Sequence, residues 1–421
     1  MANNRLFSDL MLRFGWGLTG NQLIPAGRVV SQFGGARDAT FYDIAGTNNA
    51  IVAGFRQTRL GNPDLRWEEN ESMNVGADIG LLDGRVNVVL DVYQRETNNL
   101  LFDPPLPATA GVAEAPIVNI GKMRNRGFDL SIGHQAAVWS ATLNASHYRN
   151  KIVRIDGERD FFLGTQNTRF GRPIINKLGH PIGSFFGYIN DGMFQNQAEI
   201  DALNQAARQQ TGDPAAVFQA GADPGRLKFR DVDGDGVVTL ADRTIIGSPH
   251  PDLTASLDLG FRWKLWDLSA TVFGSFGNEI FDVQKEFYVF RNFNTNVRRD
   301  LLTDSWTPEN PNAKYPQLDV TDGTSIQASS FYIEDGSYVR LRSVQIGYNI
   351  PATLSRFLAA SRVFVQAENL FTITGYDGLD PALPAANVNG PAGDIRDQYR
   401  GVDRGTYPSN KSFSIGLVTS F

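Results

Sequence analysis

The sequence predicts an all-β chain that crosses a membrane as part of an antiparallel β-barrel with long extracellular loops. Three observations carry this prediction. Ten segments alternate apolar and polar side chains, short connections alternate with very long ones, and the last segment is a strand-like stretch ending in an aromatic residue.

The last segment, residues 412–421 (SFSIGLVTSF), places Phe413, Ile415, Leu417, Thr419 and Phe421 on one face. Ser412, Ser414, Gly416, Val418 and Ser420 fall on the other. Strand side chains alternate with period two, so one face is greasy and the other small and mostly polar. The same alternation runs through Leu10-Leu12-Phe14-Trp16-Leu18, Met73-Val75-Ala77-Ile79-Leu81 and Val86-Val88-Leu90-Val92. It recurs at Phe128-Leu130-Ile132, Trp139-Ala141-Leu143-Ala145, Leu253-Ala255-Leu257-Leu259-Phe261, Leu268-Ala270-Val272 and Val363-Val365-Ala367. Residues 338–348 also read as a strand, with a slip near Ser343 that predicts a bulge. Each segment approaches the about 9–11 residues with which a tilted strand crosses a bilayer. A soluble sandwich would alternate in the same way. The opposite faces separate the two, because they carry Arg13, Asp78, Asp91, Asp129, Asp258, Arg262 and Glu368 among Gly, Ser, Thr and Asn, as a wide polar lumen requires. Taken singly, each of these charges reads as a solvated wall position.

Short connections fall at Leu82-Asp83-Gly84, near residues 136–138, at 264–266 and at 351–361. Long ones run over about 20–63, 97–118, 154–251, 277–335 and 375–410. Short periplasmic turns and long outer loops are the asymmetry of outer-membrane barrels. The first strand then runs outward and the last ends on the periplasmic side, with Phe421 as the expected assembly-signal residue.

Composition agrees. Among 421 residues there are 42 glycines, 20 prolines, 28 phenylalanines and no cysteine. Mean hydropathy is −0.25, and no apolar run is long enough for a transmembrane helix. Barrel strands, only half apolar, are untouched by that exclusion. A net charge of −6 without a basic run argues against nucleic acid as a partner. The opening residues Met1-Ala2-Asn3-Asn4-Arg5 do not have the apolar core of a signal peptide.

Several stretches resemble the carboxy-terminal half of SusC/RagA-type TonB-dependent outer-membrane transporters. They are residues 12–22 (LRFGWGLTGNQ), 61–69 (GNPDLRWEE), 119–130 (NIGKMRNRGFDL), 229–247 (FRDVDGDGVVTLADRTIIG) and 338–351 (YVRLRSVQIGYNIP), and Ala367-Glu368-Asn369-Leu370-Phe371 resembles the penultimate strand. The resemblance implies a barrel of about 22 strands in the outer membrane of a Gram-negative bacterium. It also implies an amino-terminal plug, a SusD-like lipoprotein lid, and energy from a TonB-ExbB-ExbD complex acting through the plug to import oligosaccharides or peptides. On this reading residues 1–421 are one barrel domain without plug or signal peptide. Ten strands cannot close such a barrel, and an open edge in lipid leaves backbone groups unpaired, so the chain is expected to be a fragment.

The sharpest local motif is Asp231, Asp233, Asp235, Val237 and Asp242, within DVDGDGVVTLAD. It matches a calcium loop, with oxygen ligands at positions 1, 3 and 5, a backbone carbonyl at 7 and a carboxylate at 12. Closely spaced carboxylates repel unless a hard cation neutralises them, so the expected cofactor is a structural Ca2+. Asp242 stands where a longer glutamate is usual, and an Asp/Gly-rich turn without metal is the plainer alternative. No catalytic constellation emerges: His134, His147, His180 and His250 are scattered, and no nucleophile motif is present. Aromatics crowd the outer loops at Phe185, Phe186, Tyr188, Phe287, Tyr288, Phe290, Phe293, Trp306 and Tyr315. They suit sugar stacking or a lid contact, but loop cores are the commoner use of such rings. Residues 197–210 read as a loop helix with Ile200, Leu203 and Ala207 on one face. Beside import, two further functions fit this sequence: a passive outer-membrane pore, and a calcium-stabilised surface protein that binds carbohydrate.

Overall fold

The computed structural model of the chain describes residues 7–21, 24, 26–35, 40–43, 46, 51–102, 111, 113–119, 121–155, 160–164, 170–290, 296–351, 360–383, 389–390, 393–394 and 400–420. Ten long strands dominate it: β1 (Phe7–Asn21), β2 (Glu68–Leu81), β3 (Val86–Asn98), β4 (Gly121–Gln135) and β5 (Trp139–Ile155). They continue as β6 (Leu253–Trp263), β7 (Trp266–Phe276), β8 (Tyr338–Ile350), β9 (Ala360–Thr374) and β10 (Ser412–Ser420). All ten segments with the alternating pattern are strands of one ten-stranded sheet, in sequence order from β1 to β10. Every neighbouring pair is antiparallel.

Register turns ten separate apolar stripes into one band. Leu10, Ile79, Val88, Ile132, Leu143, Leu257, Val272, Leu341 and Phe371 are successive cross-strand partners. Leu12 is 76% exposed, Phe14 70% and Ile415 80%. In water such a surface would be an aggregation hazard; in a bilayer it is the solvated face. Beside the short turns Trp263 pairs with Trp266 and Trp266 with Tyr348, whose rings lie 4.9 Å apart. These rings form the interfacial aromatic girdle of a transmembrane barrel.

The opposite face is polar and laterally bonded. Arg13 donates to Asp78 at 2.8 and 2.9 Å and to Asp91 at 2.9 Å, across three strands. Gly76 gives this guanidinium its room, since a Cβ there would lie 2.9 Å from Arg13 Nη2 and 2.3 Å from Asp91 Oδ1.

One difference from the sequence reading is physical. The first five strands run further outward than their apolar alternation, as in the stretch from Gly121 to Gly127 of β4 and the end of β5. Beyond the bilayer no greasy face is needed, and charged pairs such as Arg124 with Glu96 hold the strands instead. The bulge falls where the slip predicted it: the β8–β9 register shifts between Leu341 and Ser343. The displaced Arg342 guanidinium lies 4.3 Å over the Phe273 ring.

The turn after β2 holds Leu82 and Asp83 at φ 54° and 57°, a left-handed pair that closes a tight hairpin. Residues 352–359, most of the last short connection, and Phe421 lie outside the described residues. The long connections build a dome at the other end of the sheet. Its hydrophobic core joins Ile174 and Phe185 of one connection to Phe281, Leu301, Tyr315 and Tyr332 of the next and Val402 of the last. Helix α1 (Gln197–Thr211) sits in the first of these, with Ile200 and Ala207 buried and Leu203 half-buried. The Asn196 side chain caps its start and Gly212, at φ 72°, ends it.

The two faces of β5 predict opposite responses to charge. Leu143→Arg, on the lipid-facing band, is expected to cost about 2–4 kcal/mol of folding free energy in vesicles, and Asn144→Arg, on the lumenal face, much less. Denaturant titration of the full-length protein in lipid measures both, and equal costs would reverse the assignment of the faces.

Candidate functional site

The lumenal wall contains the charges that the sequence placed there, and Arg13, Asp78, Asp91, Asp129, Asp258 and Glu368 are built into lateral networks. Asp258 accepts from Thr271 at 2.7 Å, Asp129 from Ser146, and Glu368 from Gln366 at 2.7 Å and Ser412 at 2.9 Å. Lower in the wall, Arg362 bridges Asp267, at 2.9 Å from Nε, and Gln345, at 2.7 Å.

In the dome most of the sequence-noted aromatics are structural. Phe185, Phe290 and Tyr315 are in the core. Tyr188 stacks on Phe229 at 4.8 Å, and the Trp306 indole donates to Gln195 at 3.2 Å. Phe186 is half-buried beneath the Arg243 guanidinium, Phe287 is half-buried, and Phe293 lies outside the described residues. Tyr288 lines a cavity.

That cavity, of about 380 Å³, is lined by three parts of the dome: Asp282, Gln284 and Tyr288; Asn296, Val297 and Arg298; and Asp377, Gly378, Leu379, Asp403 and Gly405. Its floor is a short parallel pairing in which Phe281 faces Val402 and Asp282 faces Asp403. Both carboxylates are buried. Asp282 accepts from the Gln284 amide at 2.9 Å and from the Tyr288 phenol. Asp403 accepts from the Tyr376 phenol at 2.7 Å and from the Gly405 and Thr406 amides at 2.8 and 3.3 Å. Burial pushes the Asp282 carboxyl up to about 6, against the pull of Tyr288, Lys285 and the Gln284 amide, with Glu334 adding to the rise. Burial, then the nearby carboxylates, push the Tyr288 and Tyr376 phenols up as well. At the rim Arg298 is held by Asp300 at 2.7 Å and Asp377 at 3.4 Å. Lys314 also grips Asp377, at 2.6 Å, and first among its partners holds that carboxyl low.

The acidic loop brings Asp231, Asp233 and Asp235 together, with one carboxylate oxygen of each within 4.8 Å of the others. Asp231 accepts from the Gly234 and Gly236 amides, Asp233 from the Asp235 amide and Asp235 from the Val237 amide. Asp233 is pushed up: the Asp235 amide pulls it down, but desolvation and the charges of Asp235, Asp242 and Asp231 outweigh that bond. Asp242 lies outside the converging trio, with its carboxyl beside that of Asp231. It is fully buried and accepts from the amides of Val232 at 2.6 Å, Asp233 at 3.3 Å and Thr239 at 2.7 Å, clasping the loop shut. Burial raises its carboxyl, yet those amides and a hydrogen bond with Asp231 together hold it low. The Gln210 side chain ties the loop to α1 through the Gly234 carbonyl. Three converging carboxylates fit a hard cation; the fourth expected ligand is occupied by backbone. Among the described residues no histidine joins a group of three metal-suitable side chains. His250 bonds Tyr148 at 3.1 Å and the Ile182 carbonyl at 2.8 Å, and His134 packs on Trp139.

Residues 5–370 match the family model for the TonB dependent receptor-like β-barrel. The chain belongs to this family. Over 420 residues it is 31% identical to TonB-dependent receptor P3 of Formosa agariphila, covering 97% of this chain and 39% of that relative. It is 24% identical to TonB-dependent receptor SusC of Bacteroides thetaiotaomicron, covering 99% of this chain and 38% of that protein. The structure of the RagAB peptide transporter shares its fold with a TM-score of 0.76 at 24% identity, covering 100% of this chain and 41% of that one. The chain thus spans about two fifths of the length of these relatives.

As part of a TonB-dependent receptor-like barrel, the sheet lies in the outer membrane of a Gram-negative bacterium. Its short turns face the periplasm and the dome faces outward. Sequence reading found the lumenal charges of the receptor barrel, and missed the cavity because its lining comes from distant connections with no shared motif.

The buried Asp282 carboxyl gives a signed prediction. Its folded value of about 6 exceeds its ordinary value of 3.8, so between about pH 4 and 6 the folded dome binds more protons than the unfolded chain and loses stability as pH rises. Asp282→Asn is expected to abolish that slope and to stabilise the dome at pH 7.5 by on the order of 1–3 kcal/mol. Hydrogen exchange over residues 279–290 of the full-length receptor reads it, and an unchanged slope would refute the assignment to Asp282.

Proposed function

We propose that this chain forms the carboxy-terminal wall of a TonB-dependent importer of oligosaccharides or peptides. In this reading a SusD-like lipoprotein lids the dome, and a TonB-ExbB-ExbD complex supplies energy through a plug. The observation that carries it is the continuous polar wall beneath a folded outer dome, in a chain of the TonB-dependent receptor-like family. A simple pore needs the wall but not a dome with its own aromatic core. Peptides come into consideration because the RagAB structure of similar fold is a peptide transporter.

The test is uptake of labelled short peptides and oligosaccharides by cells with and without the intact gene. Uptake that disappears on deleting the gene, and also on deleting TonB, is expected. Uptake that needs the gene but survives loss of TonB and of the proton gradient would make the protein a passive pore. A full-length protein that stays soluble without detergent would make it a surface carbohydrate-binding protein.

A second proposal concerns the acidic loop. We propose that Asp231, Asp233, Asp235 and the Val237 carbonyl hold a structural Ca2+, with Asp242 as the loop's clasp or, after a turn of its side chain, a further ligand. Support comes from the match to a calcium-loop pattern and from the mutual repulsion of the three carboxylates. Through Gln210 the ion would stiffen the end of α1. Calorimetric titration of the full-length protein is expected to give a Kd of about 0.1–1 mM, the range of extracellular calcium modules. Asp235→Asn is expected to weaken binding about tenfold and to speed hydrogen exchange at the end of α1. Absence of heat at millimolar calcium refutes the proposal.

A further inference from the structure

The cavity in the dome holds an unusual balance of charge. At its rim, Arg298 is matched by Asp300 and Asp377, and Asp377 also takes Lys314. Behind the floor, Lys285 is matched by Glu334 at 2.7 Å. Among the described residues, the two floor carboxylates, Asp282 and Asp403, take hydrogen bonds from phenols and backbone amides, while Lys285 acts on Asp282 through space. Parallel pairing puts them in the same register, so both side chains leave the ribbon on one side. Neutral donors stabilise a carboxylate but do not cancel its field, and in a desolvated site that field attracts a cation strongly. The space beside them, about 380 Å³, admits a side-chain-sized group, and Leu379 at its wall is 72% exposed. Val297, Leu379 and the Tyr288 ring supply apolar walls for a methylene stem.

We propose that this cavity is a binding subsite for a primary ammonium or guanidinium group carried by a short peptide. The inference rests on the importer reading and narrows it to peptides with cationic side chains. The ammonium enters past Leu379 with its stem along Val297 and Tyr288, and its charge meets Asp403 at the floor, where the fully buried Asp282 acts through its field. Arg298, Lys314 and Lys285 are each matched by a carboxylate of their own, so the floor keeps a net negative charge. A neutral sugar gains nothing from that field, and an anionic peptide is repelled by it.

The test is calorimetric titration of the natural full-length protein in detergent with trilysine, triglutamate and maltotriose. Trilysine is expected to bind at least about tenfold more tightly than the other two, as a desolvated charge pair requires. Asp403→Asn is expected to weaken trilysine about tenfold. Because that variant alters a buried bond to Tyr376, Leu379→Lys supplies a second arm: it sets a competing ammonium at an exposed position and is expected to weaken trilysine by a similar factor. Absence of trilysine binding, equal binding of trilysine and triglutamate, or wild-type affinity in both variants would overturn the proposal. If trilysine fails to bind while TonB-dependent uptake persists, the subsite falls and the importer reading stands.

Discussion

Backbone hydrogen bonding in hydrocarbon constrains everything else in this chain. A strand in lipid must give every N–H and C=O a partner on an adjoining strand, since no water is available to replace one. Here each strand finds its partner next to it in sequence, from β1 to β10, and all nine ladders are antiparallel. Sequential antiparallel pairing fixes which ends carry turns and which carry loops. It also makes each residue's face depend only on its parity. Once Leu12 faces lipid, Arg13 faces the lumen, and register carries that choice laterally through Ala77 and Gly76 to Leu90 and Asp91.

The same ladder solves the problem of charges inside a membrane-spanning wall. Arg13 is not paired along its own strand but across to β2 and β3. Arg362 of β9 reaches back over β8 to Asp267 of β7, and the missing side chain of Gly347 lies beneath it, where a Cβ would be 2.4 Å from its Nη2. Each long cation is thus anchored beyond its immediate neighbour and ties three strands together. Partly exposed pairs of this kind add little energy singly. Their geometric effect is larger, because they hold arginines flat against the wall and keep the lumen open.

How much of this was legible follows from the distance over which each feature is encoded. Period-two alternation is written within a strand, so all ten strands could be read, and so could the bulge, where an extra residue breaks the period at Ser343. The outer extensions could not, because Gly121 to Gly127 is held by Glu96, Asn150 and other side chains on neighbouring strands rather than by an apolar face. Asp231, Asp233 and Asp235 converge as their spacing suggested, because a turn of a few residues can only bring them together. The role of Asp242 was not legible: its burial depends on amides that turn toward it only when the loop is folded. The cavity was least legible of all, since Asp282, Arg298, Asp377 and Asp403 come from separate stretches of the last two long connections and meet only through tertiary packing.

Wall and dome therefore treat charge in opposite ways, and the contrast follows from their supports. In the wall a charge sits on a sheet two residues from the next lumenal position, so a partner is always in reach and compensation is cheap. In the dome, the ribbon carrying Asp282 and Asp403 rests on a hydrophobic core of Phe281, Tyr332, Phe185 and Val402. That core fixes the backbone, and the nearby cation, Lys285, is itself matched by Glu334. Burial of Asp282 there raises the free energy of the dome, as the upward displacement of its carboxyl records. A loop free to rearrange would relieve this by turning one carboxylate to solvent. Aromatic packing of Phe281 against Tyr332, with rings stacked at 5.6 Å, holds the ribbon in place instead. The rigidity of the dome and the net negative charge of its cavity floor thus have one cause: a core that orders the connections more strongly than the buried Asp282 carboxylate disorders them.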